Sequence, residues 1–292
     1  MEPLVVEVTR GDVVEARHVV HAAAVRGGRV ELALGDTELV TYLRSSAKPI
    51  QALPVLRASP DLDDEQIALL CASHAGTSEQ QAVVRSILAD AAAQETDLRC
   101  TRGTEQLGHM CSGKHAGFLL LCRANGWPLE GYRSADHPCQ RAMRAELGAV
   151  AEVDPGAIAV GVDGCGVPTF AVTLERAAHA FARLPAVDGG DRVVRAIRAE
   201  PQLLAGPDAV DALLPRALDG WVGKGGAEGL FCAVSADGLG VALKVADGEF
   251  RAAVTAFHAV LDRLGIAHPE IEDDTVRNAH GEVVGRFRLA PS

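Results

Sequence analysis

Period-two alternation brackets this chain and period-3.6 patterning fills its middle, an order that leaves few folds open. Residues 4–9, 13–22, 29–34 and 38–43 read as four Val-rich strands, with turns at Arg26-Gly27-Gly28 and Gly35-Asp36. An antiparallel meander is their simplest arrangement. Residues 63–72, 78–93, 114–124, 138–150, 169–182 and 191–200 then read as helices. Strand character returns at 218–222, 229–235 and 240–245, and a helix over 251–264 follows. There is no βαβ alternation, dinucleotide fingerprint or P-loop. The pattern predicts an α+β fold: one antiparallel sheet drawn from both ends of the chain and packed with a helical layer, as a single unit over 1–292.

Composition removes several function classes. The net charge is −11 and no basic run stands out, which argues against nucleic acid as a partner. Aromatic residues are only 4% of the chain, too few for extended base- or sugar-stacking surfaces. No stretch supplies the roughly 20 apolar residues needed to span a membrane. The first residues lack the basic and apolar regions of a signal peptide. The seven cysteines are scattered and odd in number, so reduced thiols in a cytoplasmic protein are expected rather than a disulfide framework. Cys122 and Cys232 sit in apolar runs and read as small core residues.

Five polar, glycine-punctuated blocks carry the chemical signal. The first is Arg44-Ser45-Ser46-Ala47-Lys48-Pro49. A helix starting near Ser45 would place its hydroxyl and the Lys48 amine on one face. A lysine made less basic by burial or by other cations can take a serine proton, so Ser-x-x-Lys marks acyl-transfer enzymes. The plain alternative is an N-cap serine and a surface lysine. The second block, Cys71 to Thr77, gathers Ser73, His74 and Thr77 after a helix, as a ligand-facing turn or an ordinary helix end. The third, His109 to Gly117, crowds Cys111, Lys114 and His115 around a glycine at a helix start. The fourth, Val162 to Thr169, reads as a turn from a strand to a helix beginning near Pro168, with Asp163 able to hold an ammonium group and Cys165 either a ligand or a packed thiol. Spacing alone argues little for a metal, because no Cys-x-x-Cys or His-x-x-x-His pair is present. The fifth, Gly223 to Gly229, surrounds Lys224 with glycines, as a flexible hairpin or a bare backbone approaching a site.

Together the blocks resemble the asparaginase II family, the class 3, Rhizobium-etli-type L-asparaginases, from Val5 to about Leu264. The resemblance implies a fold like that of serine β-lactamases and glutaminases, a homodimer, and hydrolysis of L-asparagine to L-aspartate and ammonia. It implies two Ser–Lys tandems, Ser45 with Lys48 and Ser73 with Lys224, and a zinc site at Cys111, Lys114 and Cys165 that organises the pocket. Arg44, His74, His115 and Asp163 fall in the matched blocks as expected substrate-binding residues. One departure stands out. Ala209 and Ala212 occupy positions where family members tend to have Arg and Thr, which bears on gating and substrate range. Two other readings of the chain stay open: a Ser–Lys hydrolase of another small amide such as glutamine or a β-lactam, and a non-catalytic metal- or amino-acid-binding protein.

Overall fold

A computed structural model describes residues 1–271 and 274–291. The chain opens with the antiparallel strands β1 (Leu4–Arg10), β2 (Val13–Arg26) and β3 (Arg29–Leu34). Strand β4 (Val40–Tyr42) and a 3-10 turn over Arg44–Ala47 lead into helices α1 (Lys48–Ala58), α2 (Asp64–Cys71), α3 (Ser78–Asp90), α4 (Ser112–Ala124) and α5 (Pro138–Ala151). Strands β5 (Ala159–Val162) and β6 (Pro168–Thr173) form a hairpin. Helices α6 (Leu174–Arg183), α7 (Gly190–Ala199), α8 (Pro201–Leu204) and α9 (Val210–Ala217) follow, then strands β7 (Val222–Gly226), β8 (Leu230–Val234) and β9 (Leu239–Val245). Helix α10 (Ala253–Arg263) and strands β10 (Thr275–Arg277) and β11 (Val283–Leu289) complete the described chain.

The main sheet runs β10-β11-β1-β2-β9-β8-β7, with β3 also paired to β2, and every pairing is antiparallel. The expected α+β class is thus observed, with both ends of the chain in one sheet. Alternation along the central strands serves two cores rather than one core and solvent. In β2, Ala23 and Val25 face the helical layer while Ala22 and Ala24 face α10. In β8, Leu230, Cys232 and Val234 join the first core and Phe231 and Ala233 the second. Phe181 of α6 packs in the helical core, and Phe257 of α10 closes the opposite face.

Three expectations are corrected here. The fourth strand does not extend the meander: β4 pairs with β6 in a separate three-stranded sheet, β4-β6-β5. The helix read over 169–182 is a strand followed by a helix. Pro168 to Thr173 carries β-branched and aromatic residues that hairpin onto β5, and Thr173 then caps α6 by accepting from the Arg176 N–H. The strand read at 218–222 begins only at Val222, because α9 runs to Ala217. Lys224 and its flanking glycines therefore lie inside an edge strand, not in a hairpin loop. Strands β10 and β11, beyond the last element read from sequence, pair with each other and through β11 with β1.

Two glycines set distances that matter for the site. A Cβ on Gly226 would sit 2.8 Å from the Leu43 carbonyl oxygen and from Ser46 Oγ, so only glycine lets β7 close against the turn carrying Ser45. A Cβ on Gly113 would sit 2.3 Å from the Leu69 carbonyl oxygen, so glycine lets the start of α4 press on α2.

Candidate active site

Ser45, Ser73 and Lys224 come from three distant stretches of sequence and line one cavity of about 500 Å3. Ser45 sits in the 3-10 turn ahead of α1, directly after Arg44, whose φ of 49° is a left-handed conformation uncommon for a non-glycine residue. Such backbone outliers persist only where their surroundings hold them, and they cluster at functional sites. Two partners hold this turn: Ser46 Oγ donates to the Lys224 carbonyl at 2.9 Å, and Arg44 Nε donates to Asp163 Oδ1 at 2.9 Å.

Lys48 is fully buried beneath the cavity. Its Nζ meets Ser73 Oγ at 3.0 Å and donates to the carbonyls of Ala72 at 2.5 Å and Met110 at 3.3 Å. The spacing and the resemblance had coupled Lys48 to Ser45; the structure gives its nearest hydroxyl contact as Ser73. A long side chain rooted at the start of α1 reaches inward to the turn after α2, a contact that local spacing does not encode. Burial pushes the Lys48 ammonium down from 10.5 to about 8, helped by the Lys224 and Lys114 cations and opposed by Cys111.

Lys224, expected as the partner of Ser73, lines the same cavity as Ser73. Its Nζ forms an ion pair with the Asp211 carboxylate and donates to the Gly225 carbonyl at 3.0 Å. Asp211 also accepts from the Gly225 N–H at 2.6 Å, so one buried carboxylate fixes both the lysine and the backbone of β7. Asp211 lies in the stretch of the Ala209 and Ala212 departures, and the sequence assigns it no role. A lysine buried among glycines demands a counter-ion, but the sequence does not say which of the many acids comes near.

Behind these groups, Cys111, Lys114 and Cys165 meet. Lys114 Nζ is 3.4 Å from Cys165 Sγ, and the Cys165 thiol hydrogen-bonds to Cys111. That bond, with the Lys48 and Lys114 cations, holds Cys111 far below the ordinary thiol range despite burial. The same bond and burial push Cys165 up. Burial opposes the charge on Lys114, but the two sulfurs outweigh it and raise its affinity for a proton. Two sulfurs and an amine thus converge, a donor set whose soft thiolates suit zinc. Among the described residues, no group of three or more His, Cys, Asp and Glu side chains is placed to hold a metal ion. A metal here would depend on Lys114 as its third donor.

The remaining expected residues divide. Arg44 and Asp163 form their ion pair beside the Ser45 turn, and the Arg44 guanidinium also lies 3.8 Å from Glu228. His74 and His115 are buried and bonded inward. His74 Nδ1 accepts from the Gly76 N–H at 3.1 Å and Nε2 meets Ser112 Oγ at 2.8 Å, pinning the Ser73 turn to α4. Burial, with Lys48, lowers the His74 imidazolium to about 4, so the ring stays neutral. His115 Nδ1 meets Tyr132 Oη at 2.5 Å and the Leu98 carbonyl at 3.0 Å. Burial, with Lys114, lowers it to about 3. Neither imidazole lines the cavity that Ser45, Ser73 and Lys224 share.

Serine hydroxyls over a buried lysine of reduced basicity are groups suited to hydrolytic acyl transfer. Residues 6–289 match the L-asparaginase II family, and the chain belongs to that family. Membership makes it an amidohydrolase acting on a small molecule. No curated protein matches the chain. Among the described residues, no helix is long and apolar enough to cross a membrane.

Proposed function

We propose that the protein hydrolyses L-asparagine to L-aspartate and ammonia, with Ser45 as nucleophile and the Ser73–Lys48 pair as its proton acceptor. The observation that carries this reading is the 3.0 Å contact between Ser73 Oγ and a buried Lys48, under a cavity that Ser45 also lines. Ser45 Oγ attacks the side-chain amide carbon. Its proton passes to Ser73, whose own proton passes to the neutral Lys48 amine. Main-chain N–H groups about the Ser45 turn and edge strand β7 stabilise the tetrahedral oxyanion. The proton on Lys48 returns through Ser73 to the leaving nitrogen, the C–N bond breaks, and ammonia departs. Water then attacks the β-aspartyl ester on Ser45, its proton passing to Lys48 along the same route; the bond from the acyl carbon to Ser45 Oγ breaks, the proton returns through Ser73 to Ser45, and L-aspartate leaves. Lys224, ion-paired with Asp211, contributes positive charge near the developing oxyanion. The test is ammonia release from L-asparagine by wild-type protein and by Ser73→Ala, which should lose most of its kcat with little change in KM. A Ser73→Ala protein at full rate would remove the relay.

This assignment fixes the sign of a pH dependence. Lys48 works as the free amine, so activity is lost as pH falls through its value near 8. The kcat/KM profile should climb roughly tenfold per pH unit below that value and level off above it. A profile already flat at pH 6 would count against Lys48 as the base.

Cys111, Lys114 and Cys165 would hold zinc, as the family resemblance implies. Bound there, zinc would supply fixed positive charge and join the start of α4 to the turn at Asp163–Gly166. Binding must displace the protons on Lys114 and Cys165, so occupancy should fall as pH drops. Elemental analysis of protein prepared without chelator should give about one zinc per chain. Cys165→Ser should weaken retention and raise KM for asparagine more than it lowers kcat. A metal-free, fully active protein would assign the three residues to packing alone.

A further inference from the structure

Lys48 and Lys224 are both buried at this cavity, and their partners give them opposite chemistry. Lys48 Nζ faces the carbonyls of Ala72 and Met110 and the hydroxyl of Ser73. A free amine has two hydrogens and one lone pair. The carbonyls match the hydrogens, and the lone pair is left to the Ser73 hydroxyl. Lys224 Nζ instead meets two acceptors, the Asp211 carboxylate and the Gly225 carbonyl. An ammonium has three hydrogens and no lone pair. Two are matched, and one remains on a nitrogen set among the cavity-lining residues Asp211, Lys224 and Gly225.

Asp211 creates the second arrangement. It stands in the first turn of α9, where Val210 and Leu214 pack into the core and seat the helix. A helix N-terminus favours negative charge. One carboxylate oxygen takes the Lys224 ammonium and the other accepts from the Gly225 N–H at 2.6 Å. Strand β7 is the last strand of the main sheet, so the Gly225 N–H and C=O lie along an open edge. The ion pair closes both, since Asp211 accepts from the N–H and Lys224 donates to the C=O. Only glycine permits this approach without a shift: a Cβ at position 225 would come within 3.1 Å of Asp211 Oδ1 and of the Phe250 ring. The titratable groups around Lys224 are Asp211 of α9, Lys48 of α1 and Cys71 of α2. Burial pushes the Cys71 thiol up to about 12, which leaves Asp211 as the anion among them. Asp211 is 5% and Lys224 2% exposed, and a charge buried to that extent is tolerated only with its partner.

We propose that Asp211 is a positioning residue of the reaction: it fixes Lys224 as a charged donor at the cavity and keeps that lysine out of the proton relay, which belongs to Lys48 and Ser73. This rests on the amide-hydrolase reading above and gives Lys224 a different task from that of a base for Ser73. A donor held in advance stabilises the substrate oxygen as its charge develops, without reorganisation at the moment of reaction. The same cation helps to keep Lys48 a free amine.

The test is a double-variant cycle on Asp211→Asn and Lys224→Met, read as kcat, KM and melting temperature. Asp211→Asn should lower kcat for L-asparagine by roughly 10- to 10^2-fold with little change in KM, less than outright loss of an oxyanion donor. Its kcat should also fall as pH rises, a limb that wild type lacks. A buried ammonium without a counter-ion gives up its proton more readily, and only the charged form donates. A packing defect would not bend the profile in that direction. Lys224→Met should keep the acid limb of Lys48 and shift it to higher pH, since one of the cations that depress Lys48 is gone. In that background Asp211→Asn should cost little further kcat. The double variant should melt above either single variant, because each single leaves one buried group without its partner. An Asp211→Asn enzyme with the wild-type kcat and pH profile overturns the assignment and leaves the hydrolase reading standing. Losses that multiply in the double variant overturn it as well, and so does a Lys224→Met enzyme without an acid limb, which would make Lys224 the base. If wild type releases no ammonia from L-asparagine, the hydrolase reading falls and the melting arm decides the ion pair. Recovered stability in the double variant then still assigns Asp211 to fixing Lys224, and no recovery removes it.

Discussion

Ser45→Ala is expected to lower kcat for L-asparagine by on the order of 10^3-fold or more while leaving the fold unchanged. The hydroxyl lines the cavity and is only partly buried, so its removal leaves no cavity in the core and breaks neither the Ser46 nor the Arg44 bond that holds the turn. Steady-state kinetics beside circular dichroism and a melting curve check both halves of the statement. A folded Ser45→Ala protein near the wild-type rate would pass the nucleophile's role to Ser73, the hydroxyl that Lys48 touches directly.

Lys48→Met should cost about 10^2- to 10^4-fold in kcat, the usual contribution of a positioned acid–base group. Methionine keeps most of the buried volume and removes the amine, so the loss reports proton transfer more than packing. The same substitution should erase the acid limb of the pH profile near 8. Lys48→Met combined with Ser73→Ala should cost little more than either alone, because a relay broken at one link gains nothing from its second. Losses that multiply in the double variant would mean that Ser73 and Lys48 act independently.

Some of this site is legible in the sequence and some is not, and the division follows contact range. Ser45 and Lys48 are three residues apart, and the glycines that permit close approach at Gly113 and Gly226 stand inside recognisable blocks. The partner of Lys48 is 25 residues away in the next turn but one, and nothing local points from α1 to Ser73. Asp211 is an ordinary residue in a helical stretch whose role exists only once α9 lies against β7. The fold divides in the same way. Alternation in β1 to β3 and the helical periods of α2 to α5 are local signals, and they were readable. Residues 168–173 fit a helix start as well as a strand, and pairing with β5 and β4 decides for the strand. The glycines around Lys224 look like a loop until β8 supplies a pairing partner, an instance of tertiary context overriding local propensity. His74 and His115 stand out in the sequence as polar residues in functional blocks; in the fold both are buried, His74 bonded to Gly76 and Ser112 and His115 to Leu98 and Tyr132.

The most direct measurement is product analysis of purified wild-type protein, supplied with zinc, against L-asparagine, L-glutamine and a β-lactam at pH 8.5, above the Lys48 value of about 8. Ammonia and L-aspartate should form in equal amounts from asparagine, with kcat/KM higher than for either other substrate. A folded, zinc-supplied protein that releases no ammonia from asparagine, or that prefers glutamine or opens the lactam instead, would contradict the assignment.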